Sequence, residues 1–413
     1  MSPRGPEPEP ADDVERRVLD YVDAHAEEAV EFFRSLVKIR STDPPGDVRE
    51  MADACAAFGR GLGMDVEQHE PAPGKVSNVL RLRGSGGGPA FLLNSHLDTF
   101  PASDPTAWRH TPFGAEVHDG KVWGVGTRDM KAGLSAALLA VQAVVATGTR
   151  LRGDVVLTQT ADHIKGGGVL GLKYLVDERL VSADFGIYTE SNPPLAIELA
   201  SRGMLRFEIT LTGFAKHTKY KVEHSESGQP INAILKAAKL TIALEAMHFT
   251  NWAPHAYVKG PPVVSVNRIA GGFSDTLIAD RCVLVADCRY LPGQDPDDVM
   301  ADVQGVLDRL AQEDPEFRAT LKVLLHGEAS QVGADTPLVE TLQGAIQTVI
   351  GRRVPLGGAG STSDMRFLIN DGGIPMVKFV FPSSETGTNE FESIEDFLNT
   401  LRVYSLMLVR VLG

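Results

Sequence analysis

The sequence predicts an α/β protein: an α/β/α domain with a mixed, partly parallel sheet, interrupted by a smaller α+β domain. Three observations carry that expectation. Short apolar runs alternate with helical patterns over residues 77–190, as in strands joined by crossover helices. After about Ala200 the runs become alternating strands, MLRFEITLTG, PPVVSVNRIAGG and RCVLVADCRYLPG, which suits an antiparallel sheet covered on one face. After about Gly327 the first pattern returns in TPLVETLQGAIQTVIG and IPMVKFVFP. The expected boundaries are a disordered tail over 1–12, an α/β domain over 13–198 and 327–413, and an inserted domain over 199–326.

From Asp13 to about Ile39, Val14, Val18, Tyr21, Val22, Ala29, Phe32 and Leu36 recur at helical spacing, with His25 the one polar gap. The loop STDPPGD follows, then a helix through Ala52 to Leu62. VSNVLRLRG and PAFLLNSHLD read as strands, and KAGLSAALLAVQAVVATG as a small-residue helix suited to close packing on a sheet. DVVLTQTAD and ADFGIYTES read as two more buried strands. In the inserted domain, NAILKAAKLTIALEAM and PDDVMADVQGVLDRLAQ are the two helices that would cover the antiparallel sheet, and FRATLKVLLHG adds a strand. A last helix begins at Ser393.

A chain of 413 residues is long enough for two domains and a large core. Hydrophobic residues at 43% and charged residues at 23% are ordinary for a soluble protein. The net charge of −14 argues against nucleic acid as a partner. Cys282 and Cys288 share one strand-like run, and six extended residues hold them roughly 20 Å apart, too far for a disulfide. MSPRGPEPEPADD opens with charge and proline, unlike a signal peptide or membrane span. A reduced, cytoplasmic protein acting on a small molecule, with no membrane partner, is expected.

Candidate chemistry lies where strands end. His96 and Asp98 in NSHLDTFP are two apart and point the same way; a histidine ligand backed by a carboxylate is a common metal arrangement. Asp129, in VGTRDMKAG, precedes the apolar helix, and Glu190 follows the strand ending in YTES. Each also admits a plainer role: a structural pair, a helix N-cap, a solvated carboxylate. Together they bring an imidazole and two carboxylates to one sheet edge, which suits a zinc-like ion. The stretch QTADHIKGGG ends another strand in a glycine turn, where a pair of carboxylates would be at home, yet it offers His163, Ile164 and Lys165.

The ordered motifs SHLDTFP, WRHTPFGAEVHDGKVWGVGTRDMKAG, GMLRFEITLTGFAKHT, GQPINAI, DCRYLPG, GSTSDMRF and TNEFESIEDF resemble the dinuclear zinc aminoacylase and carboxypeptidase family. That family includes acetylornithine deacetylase and succinyl-diaminopimelate desuccinylase, and the resemblance runs from about residue 15 to 410. It implies that His96 and Glu190 hold one metal, that Asp129 bridges to a second, and that Asp98 supports His96. His217 matches a histidine of the inserted domain that steadies an oxyanion, usually in the partner subunit of a homodimer. Arg289, Ser363 and Arg366 fall where such enzymes hold the substrate's carboxylate end; Arg289 equally suits a salt bridge.

The departures decide more. The family's general-base glutamate corresponds to His163, and its two remaining ligands to the second metal correspond to Ile164 and Thr386. Asp275 replaces a substrate-binding asparagine and Ile278 a proline. One metal at most is expected, most simply zinc, held by His96, Asp129 and Glu190. His163 reads either as a relocated base, since neutral imidazole accepts protons near neutrality, or as a spacer. Lys165 could form a Schiff base or simply be solvated. Three functions stay open: a one-metal hydrolase of a small N-acylated amino acid or dipeptide, a non-hydrolytic enzyme forming, cyclising or eliminating at a C–N bond, and an inactive binding homologue.

Overall fold

The computed structural model describes residues 11–165 and 167–413. Residues 1–10 of the expected tail lie outside them, and residues 11 and 12 open the first helix, Ala11–Ala24. The chain divides into two compact units. The first comprises residues up to 199 with 332–358 and 364–413, and the second 200–331 with 359–363. Segment 359–363, including Ser363, thus groups with the second unit, although the sequence reading placed it in the first.

The main sheet has nine strands, and six of them, in the first unit, lie in the order Asp65–His69, Ser77–Leu82, Asp154–Thr160, Ala90–His96, Phe185–Tyr188, Met376–Lys378. The last four are mutually parallel, and the first two antiparallel. Strand ends therefore align: His96 pairs with Thr160, Asn94 with Tyr188, and Tyr188 with Lys378. The carboxyl ends of parallel strands are where open α/β sheets gather functional groups. The expected single helix over 13–39 is two helices, Ala11–Ala24 and Ala26–Lys38. The break falls at His25, whose Nδ1 takes the Tyr21 carbonyl at 2.8 Å. The polar gap in the stripe was a helix boundary.

The helix Ala132–Ala146 is buried on nearly every side. With the turn before it, Thr127–Ala146 is long and apolar enough to cross a membrane, but 83% of it is buried among the described residues, as in a core helix. It packs on the final helix, Ile394–Leu412, and on Ala26–Lys38. Its first turn also meets the backbone after the Phe185–Tyr188 strand: a Cβ on Gly133 would lie 1.9 Å from the Thr189 carbonyl oxygen. Glycine there lets the helix seat against the segment that carries Glu190.

The second unit has a four-stranded antiparallel sheet ordered Val263–Gly271, Arg281–Tyr290, Gly203–Thr212, Ala319–Gly327. Helices Ala233–Glu245 and Pro296–Glu313 bury Leu240, Leu244, Val303 and Leu307 against Phe207, Ile209, Leu284 and Ala286. Asn232 and Asp295 cap these helices through their side chains. Cys55, Cys282 and Cys288 are buried free thiols.

Because Gly133 has no room for a methyl, Gly133→Ala should lower stability by about 1–3 kcal/mol through overpacking. Urea unfolding checks this, and an unchanged midpoint would show that the close approach is not needed.

Candidate functional site

Four parallel strands end at the site, and each delivers a group. His96 closes its strand and is almost fully buried. Its Nε2 faces Asp129 Oδ1 at 3.0 Å, and its Nδ1 faces the Asp98 carbonyl oxygen at 2.8 Å. The Asp98 carboxylate lies farther from that nitrogen, at 4.0 Å. It accepts instead from the backbone N–H groups of His163, at 3.2 Å, and Ile164, at 2.8 Å. Asp98 therefore supports His96 through its backbone and fastens the loop after Thr160 through its side chain.

That loop is held from every side. Asp162 takes a positive φ of 69°, its carbonyl accepts from Gly168 N–H at 2.7 Å and its carboxylate from Leu170 N–H at 3.0 Å. His163 is delivered into a half-buried position with its Nδ1 2.7 Å from Asp364 Oδ2. Its ring stacks on His96, centroids 4.1 Å apart and planes 7° apart. Arg366 reaches the other end, donating to the Gly167 carbonyl at 3.1 Å, while its Nη1 lies 3.6 Å from Asp364 Oδ1. Lys165 is exposed.

Burial alone would strip the proton from His163. The facing Asp364 carboxylate outweighs it, with Glu190 and Asp98 adding to the same effect, and raises the imidazole to about 10. The Asp364 carboxylate at Nδ1 thus favours the protonated ring, which suits the acid side of an acid/base role more than the base side. Asp364 supplies the charge, and the sequence reading passed over it while naming its neighbours Ser363 and Arg366. Its position between them in GSTSDMRF was a usable signal.

Glu190, two residues past its strand, has its Oε2 3.2 Å from Lys378 Nζ, which also lies 3.7 Å from Glu198. Burial would raise Glu190, but the Lys378 ammonium beside it leaves it below its usual range. Asp129 does not cap the helix after it. Its backbone N–H and that of Arg128 donate to Glu390 Oε1, at 3.0 and 2.9 Å, and its carboxylate spans two neighbours, with Oδ1 toward His96 and Oδ2 receiving the Thr386 hydroxyl at 3.1 Å.

Donor atoms of His96, His163 and Glu190 lie within 4.8 Å of one another, close enough to hold one ion. Asp129, expected as the third ligand, is bonded to His96 Nε2. Two imidazoles and nearby carboxylates suit zinc. At the positions of the resembled family's two remaining ligands, Ile164 has no donor, and Thr386 offers only a hydroxyl already shared with Asp129 and Arg128. A separate group sits partly exposed, Glu116 and His118 on the strand Glu116–His118 and His110 in the loop before it, away from the parallel strand ends. Glu116 Oε2 is 3.3 Å from His110 Nδ1 and 3.2 Å from His118 Nε2.

The other expected residues lie in the second unit. His217 is exposed and caps a short turn, its Nδ1 accepting from Lys219 N–H at 3.2 Å. Asp275 is exposed and Ser363 buried. Arg289 is clamped by Asp287 on its own strand and reaches Thr362 Oγ1 at 3.3 Å.

The His163 charge sets a pH dependence. A pKa raised from 6.5 to about 10 on folding stabilises fully below the lower value, and that contribution is lost as pH rises through the upper one. Metal-free protein should lose stability relative to its His163→Gln variant between those values in urea melts. Parallel pH profiles would contradict the pairing.

Comparison with known proteins places these features. Succinyl-diaminopimelate desuccinylase of Alkalilimnicola ehrlichii is 26% identical over 396 residues, covering 94% of this chain and 100% of that protein. The enzyme of the same name from Maricaulis maris is 30% identical over 304 residues, covering 71% and 74%. The crystal structure of aminopeptidase PepT from Bacillus cereus shares the fold, with a TM-score of 0.76 at 21% identity, over 94% of this chain and 98% of that one. The profile of peptidase family M20/M25/M40 matches residues 92–410. The chain belongs to that family.

Proposed function

We propose that the protein is an enzyme acting at the C–N bond of a small N-acylated amino acid or dipeptide-like molecule, using one divalent ion, zinc. The observation that carries this is the gathering of His96, Asp129 and Glu190 at the ends of the parallel strands, with His163 stacked beside His96. Relatives named for removing a succinyl group from an amino acid, and a structural neighbour named an aminopeptidase, support the substrate class.

When bound, the ion supplies Lewis acidity at an acyl oxygen; His96, Glu190 and Asp129 Oδ1 would hold it. Asp98 fixes the loop that presents His163. With Nδ1 turned to Asp364, His163 holds its other proton on Nε2, the atom that can pass it to a departing nitrogen. Arg366 is engaged with the loop and Asp364 and Arg289 with Asp287 and Thr362; with Asp275 they remain the proposed substrate-recognition residues. The reading also includes a cytoplasmic homodimer formed through the second unit, whose outer strands Val263–Gly271 and Ala319–Gly327 offer edges for pairing, with His217 serving an oxyanion.

One observation favours the non-hydrolytic alternative: each nearby carboxylate is already engaged. Asp98 holds two amides, Asp364 pairs with His163, Glu190 with Lys378, and Glu390 holds the amides of Arg128 and Asp129. A pocket without a free carboxylate base activates water poorly and suits C–N bond formation, cyclisation or elimination.

Amine release from N-acetyl and N-succinyl amino acids, with zinc, cobalt or manganese added, separates the two. Hydrolysis is expected for at least one substrate, and His163→Ala should slow it by about 100-fold or more. No release from any substrate by zinc-loaded protein would exclude the hydrolase reading. Release unaffected by His163→Ala would leave His163 a spacer.

A further inference from the structure

Arg128 has no role in the reading above, yet its side chain is the largest fully buried one among the described residues. A guanidinium cannot shed its charge in a protein, and a buried charge needs a partner. The carboxylate beside it is Asp129, whose Oδ2 lies 3.7 Å from Arg128 Nη1. The same Nη1 donates to Thr386 Oγ1 at 2.6 Å, and that hydroxyl donates to Asp129 Oδ2 at 3.1 Å. Nη2 donates to Asn192 Oδ1 at 2.7 Å and to the Ser191 carbonyl. Arg128 thus binds the segment just past Glu190 to the segment carrying Thr386, with its charge on the outer oxygen of Asp129.

We propose that the Arg128 guanidinium is a fixed second cation of the site, holding the Oδ2 side of Asp129 so that a single divalent ion enters, on the Oδ1 side. This rests on the one-ion reading and explains how it is enforced. A carboxylate can serve two cations through its two oxygens. Here Oδ1 faces His96 and the zinc ligands, while Oδ2 faces a cation that is part of the chain. A second divalent ion at Oδ2 would meet the permanent positive charge that already lies 3.7 Å from that oxygen in a buried site, with no ligand from Ile164 and only a hydroxyl from Thr386. Arg128 is a positioning residue: it holds the Oδ2 side of Asp129 through its own charge and through Thr386.

The test is zinc anomalous diffraction from crystals of the full chain soaked in excess zinc, which also separates the surface group at His110, Glu116 and His118 by position. Wild type should show one zinc beside His96, with Arg128 still at Asp129 Oδ2. A second zinc at Oδ2 with Arg128 displaced overturns the proposal, and this arm needs no variant to fold. The second arm restores ligands where the resembled family has them, with Ile164→Glu and Thr386→His, and varies residue 128. One zinc is expected with arginine retained, one with Arg128→Lys, which keeps charge but loses the Ser191 and Asn192 bonds, and two with Arg128→Gln. Two zincs with arginine retained, or one with Arg128→Gln, overturns the role assigned to Arg128. An empty His96 site in wild type would defeat the one-ion reading by itself, and the count at Oδ2 across the variants would still decide Arg128.

Discussion

A buried charge must be paired, and the carboxyl edge of the parallel strands buries many. Its free energy is tolerable because its charges meet opposite ones or, at Asp98 and Glu390, backbone N–H groups. Glu190 and Glu198 share Lys378, His163 and Arg366 share Asp364, and Arg128 lies against Asp129. The Lys378 and His163 pairs and the Arg128–Thr386 bond join segments far apart in sequence, so the chain cannot form the site until the sheet, the loop after Thr160 and the segment around Thr386 are in place. The charges that hold the pocket together also restrict its chemistry, because a carboxylate already paired is a poor base.

His163 shows how the constraint acts. Substituting a histidine at a strand end could have produced a base. Asp364 converts it into an acid by holding its Nδ1 proton, while the parallel stack on His96 fixes the ring. Asp98 is equally committed: two backbone N–H groups use its carboxylate, so it shapes the loop and reaches His96 through its own carbonyl. The family frame persists, and the proton traffic within it is rearranged.

Much of this was legible in the sequence, for definite reasons. Strand ends, the small-residue helix and the change to alternating strands near Ala200 are local patterns, and the fold follows from them. His96, Asp129, Glu190 and His163 were found because each sits where a strand or turn ends. Asp364 and Arg128 were missed because their roles depend on contacts across 201 and 258 positions, with His163 and Thr386, that no local pattern encodes. The break at His25 was visible as a polar gap but was read through, because spacing alone does not reveal a side chain competing for the carbonyl of Tyr21.

The claim on which the account turns is that His163 is a cation paired with Asp364. Nitrogen-15 NMR of the metal-free protein, with the histidine assigned by its loss in His163→Gln, reads this directly. The account predicts that both ring nitrogens of His163 remain protonated at pH 8, with titration only toward about 10. A neutral imidazole at that pH, titrating near 6.5, would contradict it and return His163 to the role of base.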